Sequence, residues 1–262
     1  MKRAWKLLLI ILSPYIIIVI GLYLAQQRLI FLPGKLPSDY DYSFQRPFEE
    51  LFIETEDGAV LNALHFKAED TRGLVVYYHG NAGDLSGWGH VANDFPDHDV
   101  LMMDYRSYGK STGKISEAAL YSDAELFYEE AKKRFPESNI IVYGRSLGAT
   151  FAAYAAARHT PAKLVLETPF YSLNDIVKRQ YWFLPVNLLL KFKFPTSEFI
   201  GEIKCPVTII HGTDDNVVHY ESGQKLFEAV EAKKEFVTIP DGGHNNLGEF
   251  QEYHRAIKRI FE

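Results

Sequence analysis

The chain has 262 residues, 47% of them hydrophobic and 14% aromatic, enough apolar material for one large core, so a single main domain is expected. A formal net charge of -6 leaves no basic footprint for nucleic acid, whose binding needs Lys and Arg clustered on one face. Cys205 is the only cysteine, which excludes a disulfide framework or a cysteine metal cluster within the chain.

The first element is the uncharged run "LLLIILSPYIIIVIGLYLA", Leu7 to Ala25. As a helix it reaches about 28 Å, close to the hydrocarbon thickness of a bilayer. Pro14 and Gly21 would weaken a soluble helix, but both are common in membrane-spanning ones. A cleaved signal peptide is the rival reading. Its apolar core is ordinarily shorter, and its cleavage site needs small residues where this chain has Tyr23, Leu24 and Ala25. Residues 1–30 are therefore read as an uncleaved N-terminal membrane anchor and 31–262 as the folded domain. Lys2, Arg3 and Lys6 precede the span and only Arg28 and Lys35 follow closely, so the positive-inside rule keeps the N-terminus cytoplasmic and sends the domain outward.

Beyond the anchor, "LFIETEDGAVLNALHFKA" reads as two strands joined by a hairpin at Asp57-Gly58. The chain then alternates. "GLVVYYHG" and "DVLMMDYRSYG" are buried strands, "ISEAALYSDAELFYEEAKKRF" is a helix ending before Pro136, and "NIIVYG" is the next strand, followed by an alanine-rich helix. "AKLVLETPF", "CPVTIIHG" and "KEFVTIP" continue the strands, with "HYESGQKLFEAVEA" and "LGEFQEYHRAIKRIF" as intervening and closing helices. Continuous Val, Ile and Leu runs separated by helices predict an α/β fold with a mostly parallel sheet covered on both faces. In such a sheet, ligands gather at the carboxyl ends of the strands. Those ends are polar here: Ser146 follows one strand, Asp214 and Asp215 another, and His244 lies after the last.

"GRSLG" carries Ser146 between a strand and a helix, with Gly144 and Gly148 permitting a sharp reversal, as in the nucleophile elbow of α/β-hydrolases. A serine hydroxyl needs a histidine to take its proton and a carboxylate to orient that histidine. Ser146 and His244 fill the first two roles. The acid could be Asp214, Asp215 or Glu167, each at a strand end. The backbone N–H of Leu147, at the start of the helix, is one candidate donor for an oxyanion. No His, Asp and Glu set has metal-ligand spacing such as H-E-x-x-H, and "HGNAGD" lacks the Gly-Lys-Ser/Thr ending of a phosphate loop, so neither metal nor cofactor is expected. His65, His90, His98, His159, His219 and His254 are read as surface or packing residues.

"YYHGNAGD", "DYRSYGKSTG", "YGRSLG", "HGTDDNVV" and "GGHNNL" stand in this order, and together they resemble the membrane-anchored bud-emergence type of α/β-hydrolase. That group is related to prolyl-oligopeptidase-like serine hydrolases and α/β-hydrolase-domain depalmitoylases. The resemblance runs from about Phe31 to the C-terminus. It implies an α/β-hydrolase fold, a catalytic triad of Ser146, Asp215 and His244 with Asp215 as the acid of an H-G-x-x-D pattern, and a second oxyanion donor at the Asn81 N–H. From the residues themselves, His79 beside a glycine-rich loop is read as bonding backbone and shaping that hole, and Glu167 as a carboxylate bonding loop backbone. Ser107 departs from the pattern, which carries glycine there.

The stretch of about 170–200, before "CPVTIIHG", is where α/β-hydrolases insert a cap. It is short, apolar and flanked by Lys178, Arg179, Lys191 and Lys193. Trp182 and Phe183 are its candidate substrate-binding residues, whether as part of an acyl pocket or as ordinary cap packing. The function expected is hydrolysis of a carboxylic ester or acyl thioester through an acyl-enzyme, on a small or lipid-like substrate. The alternatives are a prolyl-oligopeptidase-like serine peptidase and, in another class, a non-catalytic membrane-tethered binding protein.

Overall fold

A computed structural model describes the backbone of residues 2–262 and the side chains from residue 12 onward, so the charges of Lys2, Arg3 and Lys6 lie outside the described side chains. The chain begins with a helix, α1 (Lys2–Ile30), that continues through Pro14. Its segment Leu12–Ile30 is long and apolar enough to cross a membrane, by length and composition. One stripe, Val19, Leu22, Gln26 and Ile30, is buried or half-buried, and the other side chains between residues 12 and 30 are largely exposed. The i, i+3, i+4 spacing of that stripe is what a helix needs to present one face to a neighbour.

Ten strands follow in chain order: β1 (Leu32–Pro33), β2 (Phe48–Glu54), β3 (Val60–Phe66), β4 (Leu74–Tyr78), β5 (Ala82–Gly83), β6 (Asp99–Met103), β7 (Ile140–Arg145), β8 (Lys163–Glu167), β9 (Val207–Gly212) and β10 (Lys234–Ile239). Eight of them form one sheet in the order β10-β9-β8-β7-β4-β6-β3-β2. The pairings of β2 with β3 and of β3 with β6 are antiparallel; all others in the sheet are parallel. The hairpin at Asp57-Gly58 forms as its sequence requires, with Gly58 at φ +80°.

The central strands are buried on both sides, which explains their unbroken Val, Ile, Leu and Tyr runs. Besides α1 there are α2 (Leu85–Trp88), α3 (Glu117–Lys132), α4 (Leu147–Arg158), α5 (Leu173–Gln180), α6 (Val186–Leu189), α7 (Thr196–Ile200), α8 (Tyr220–Glu228) and α9 (Gln251–Phe261). One core joins Phe127, Phe151 and Phe194 to one sheet face, and a second joins Phe95, Tyr143 and Tyr253 to the other. The crossover from β4 to β6, through α2 and a 3-10 turn, has no clear periodicity in the sequence. Neither do the three short cap helices α5 to α7, which Pro185 and Pro195 punctuate. The short β1 pairs in parallel with β5, tying the end of α1 to the loop after β4.

Candidate active site

The turn between β7 and α4 is made tight by two glycines. A Cβ at Gly148 would collide with the Tyr78 and His79 carbonyls, and one at Gly144 with Ala152 and the Gly148 carbonyl. Between them Ser146 is held at φ +53°, ψ -113°, a conformation costly for any residue with a side chain. Its N–H is anchored to the Glu167 carbonyl at 2.9 Å. The hydroxyl thus stands at the tip of the turn, at the carboxyl edge of the sheet.

Two loops bring partners to it. The Ser146 hydroxyl donates to His244 Nε2 at 3.0 Å, and His244 Nδ1 donates to Asp215 Oδ2 at 2.7 Å. Asp215 is buried, and its other oxygen accepts from the Val217 and Val218 N–H groups at 2.9 and 2.7 Å. Burial alone would raise this carboxyl, but the hydrogen bonds from His211, His244 and Val218 hold it well below the usual carboxylate range. Asp214 lies on the exposed side of the loop, with Thr213 as its side-chain partner.

His211 escaped the sequence reading. It is fully buried, its Nε2 2.8 Å from the Val218 carbonyl and 3.3 Å from Asp215 Oδ2. Both neighbours accept, so Nε2 carries the proton, and Asp215 sits between two imidazoles. A signal for it lies in "HGTDD", where His211 opens the motif that ends in Asp215.

Glu167 also differs from expectation. Rather than bonding loop backbone, its side chain accepts from the Tyr143 and Tyr253 hydroxyls at 2.5 and 3.1 Å and pairs with Arg145 Nε at 3.1 Å. Burial raises both tyrosines far above their ordinary range, so they remain donors. Arg145 in turn donates to the His244 carbonyl at 3.2 Å and to Asn245 Oδ1 at 3.3 Å. Glu167 therefore supports the histidine loop through Arg145, a connection no local pattern reveals because the partners are about a hundred residues apart.

Among the described residues, neither the Asn81 N–H nor the Leu147 N–H finds a protein acceptor, and both residues border the same cavity as Ser146. Asn81 is fixed by the Tyr108 hydroxyl, which donates to its carbonyl and side-chain oxygens at 2.7 and 2.9 Å. His79 donates from Nδ1 to the Gly80 carbonyl at 2.7 Å and stacks on Trp88, so it shapes this loop from beneath.

The cavity has a volume of about 540 Å³ and is mostly apolar, lined by Leu147, Phe170, Ile176, Tyr181 and Leu184 around Ser146 and His244. Trp182 and Phe183, the candidate substrate-binding residues, are not among the residues that line it. Trp182 is 82% exposed and Phe183 53% exposed, both on the outer side of the cap. The cap folds back so that alternate parts of this apolar run face in and out, and adjacency to Tyr181 and Leu184 did not decide which.

Away from this site, Glu125, Glu129 and His159 converge, with ligand atoms within 4.8 Å of one another. The first two are one helical turn apart on α3 and His159 caps α4, a grouping that sequence spacing does not display. His159 Nε2 is hydrogen-bonded to Glu125 at 2.6 Å, and its ring stacks on Tyr128.

Comparison with known proteins follows the same lines. The family model described as serine aminopeptidase, S33, matches residues 69–199 and 196–251. An uncharacterized protein of Mycobacterium tuberculosis is 32% identical over 235 residues, covering 87% of this chain and 84% of its own. The Xenopus tropicalis alpha/beta hydrolase domain-containing protein 17C is 30% identical over 241 residues, covering 85% and 73%. Among solved structures, a Pyrococcus furiosus esterase superimposes with a TM-score of 0.70 at 19% identity, covering 88% of this chain and 96% of that one, which is a likeness of fold. Since the family model spans most of the domain and relatives at 30% identity or more cover over four-fifths of the chain, this protein belongs to the α/β-hydrolases, in the serine aminopeptidase S33 family of hydrolases.

Proposed function

We propose that this protein is a membrane-anchored serine hydrolase that cleaves acyl esters or thioesters through an acyl-enzyme on Ser146. The observation that carries the reading is the hydrogen-bonded line from Ser146 through His244 to Asp215 at the floor of an apolar cavity. His244 takes the Ser146 proton as the hydroxyl attacks the acyl carbon, and Asp215 holds the imidazole and stabilises the imidazolium. The Asn81 and Leu147 N–H groups receive the oxyanion. His244 then protonates the leaving group, and a water activated by the same imidazole releases the acid.

Ester or thioester is preferred over peptide by the cavity itself. An aminopeptidase must receive a substrate ammonium, yet none of the described residues lining the cavity is a carboxylate, and Arg145 is its cationic member. The esterase likeness in fold agrees with this preference. Retention of all the reacting groups also speaks against a purely binding role.

The test is fluorophosphonate labelling of the full chain, with intact mass and peptide mapping. One adduct is expected, on Ser146, and Ser146→Ala should neither label nor turn over esters, with kcat down on the order of 10⁴ to 10⁶. A folded Ser146→Ala protein that still hydrolyses p-nitrophenyl esters near the wild-type rate would remove Ser146 from the mechanism.

A further inference from the structure

The cavity beside Ser146 is not closed by the domain alone. Leu22, Gln26, Leu29 and Ile30 of α1 line it together with the cap. Leu29 and Leu32 border it while 60% and 56% exposed, so the cavity opens along the helix.

The position of α1 is held by polar contacts that an unattached span would have no reason to carry. Gln26 is buried, and a buried amide within an apolar helix is costly unless both ends are paired. Both are: its Nε2 donates to the Leu189 carbonyl at 2.7 Å, and its Oε1 accepts from the Lys191 N–H at 2.8 Å. The Asn81 side chain donates to the Ile30 carbonyl, and the Lys191 ammonium lies 4.0 Å from the Tyr23 ring centre. Further along the span, the Tyr15 hydroxyl donates to the Phe183 carbonyl at 3.3 Å. That contact places the cap tip, with exposed Trp182, Phe183 and Leu188, beside a segment apolar enough to cross a membrane.

We propose that the last turns of α1 are one wall of the acyl site, and that the cavity takes a long acyl chain directly from the leaflet in which the cap tip rests. The substrate class is then a membrane-resident acyl ester or thioester, whose chain passes between α1 and the cap to bring its carbonyl to Ser146. Trp182, Phe183 and Leu188 on the tip form an exposed apolar patch beside the span, which the acyl tails of that leaflet would cover. This inference rests on Ser146 being the nucleophile.

The test uses the full chain in phosphatidylcholine nanodiscs and a dodecyl fluorophosphonate carrying a terminal diazirine. After labelling and irradiation, peptide mapping should find the phosphonate on Ser146 and photo-crosslinks within residues 15–32. A Ser146 adduct whose crosslinks all fall elsewhere overturns the wall while leaving the nucleophile standing; absence of a Ser146 adduct overturns the nucleophile and the inference with it. As a second measurement, Leu22→Trp and Leu29→Trp narrow the cavity from the helix side. The ratio of kcat/KM for laurate over acetate esters should fall at least tenfold in each, and an unchanged ratio in both overturns the proposal.

Discussion

Asp215 accepts from two backbone N–H groups and two imidazoles, and its carboxyl is held low by them against the opposing effect of burial. An unfolded aspartate titrates near about 3.9. The stability this carboxylate contributes is therefore complete above that value and is lost as pH falls toward the lower folded value. In Asp215→Asn that component is missing. Guanidinium midpoints measured in detergent should show a constant gap between wild type and Asp215→Asn above about pH 5, closing on acidification below it. A gap that widens at low pH would contradict the assignment. The same substitution should lower kcat on the order of 10⁴, because the imidazole loses its orientation. Arg145 offers a stability test at this scale. Removing one member of a largely buried pair leaves the other uncompensated, so Arg145→Met should destabilise by about 3 kcal/mol, and adding Glu167→Gln should recover part of that in thermal melts.

The β7–turn–α4 unit is legible in the sequence, because a β-branched run, two glycines around Ser146 and an alanine-rich helix each dictate one part of it. Gly148→Ala tests that reasoning. With the Tyr78 carbonyl where the new Cβ must go, the helix has to shift, and a loss of roughly 1–3 kcal/mol in melts is expected, with reduced ester turnover. Ser107 is explained as well: it sits at φ +65°, where glycine carries no penalty, and its hydroxyl donates to the Gly113 carbonyl at 2.8 Å. What the sequence hid were elements whose faces are decided by distant partners. The cap is one, since its apolar run offers no period separating Tyr181 and Leu184 from Trp182 and Phe183. Arg145 and Glu167 are another, since their roles arise where β7, β8 and the His244 loop meet.

For the whole molecule, the alternation of strands and helices was enough to give a mostly parallel sheet, while the strand order and the contact of α1 with the cap were not, because both depend on long-range closure. The orientation proposed from Lys2, Arg3 and Lys6 places the domain outside the cytoplasm. A C-terminal alkaline phosphatase fusion in a bacterial host should be active. Strong fluorescence from a cytosol-dependent fusion with no phosphatase activity would reverse that orientation. On the proposed membrane anchoring, the described part of α1 presents one stripe to the cap and its exposed side to lipid, which has a kinetic consequence. An enzyme so fixed and a substrate dissolved in the same sheet of lipid meet by lateral diffusion, so turnover follows the substrate's mole fraction in that sheet and not its amount per volume of water. Diluting the substrate with inert lipid, at constant total substrate and enzyme, would slow the reaction.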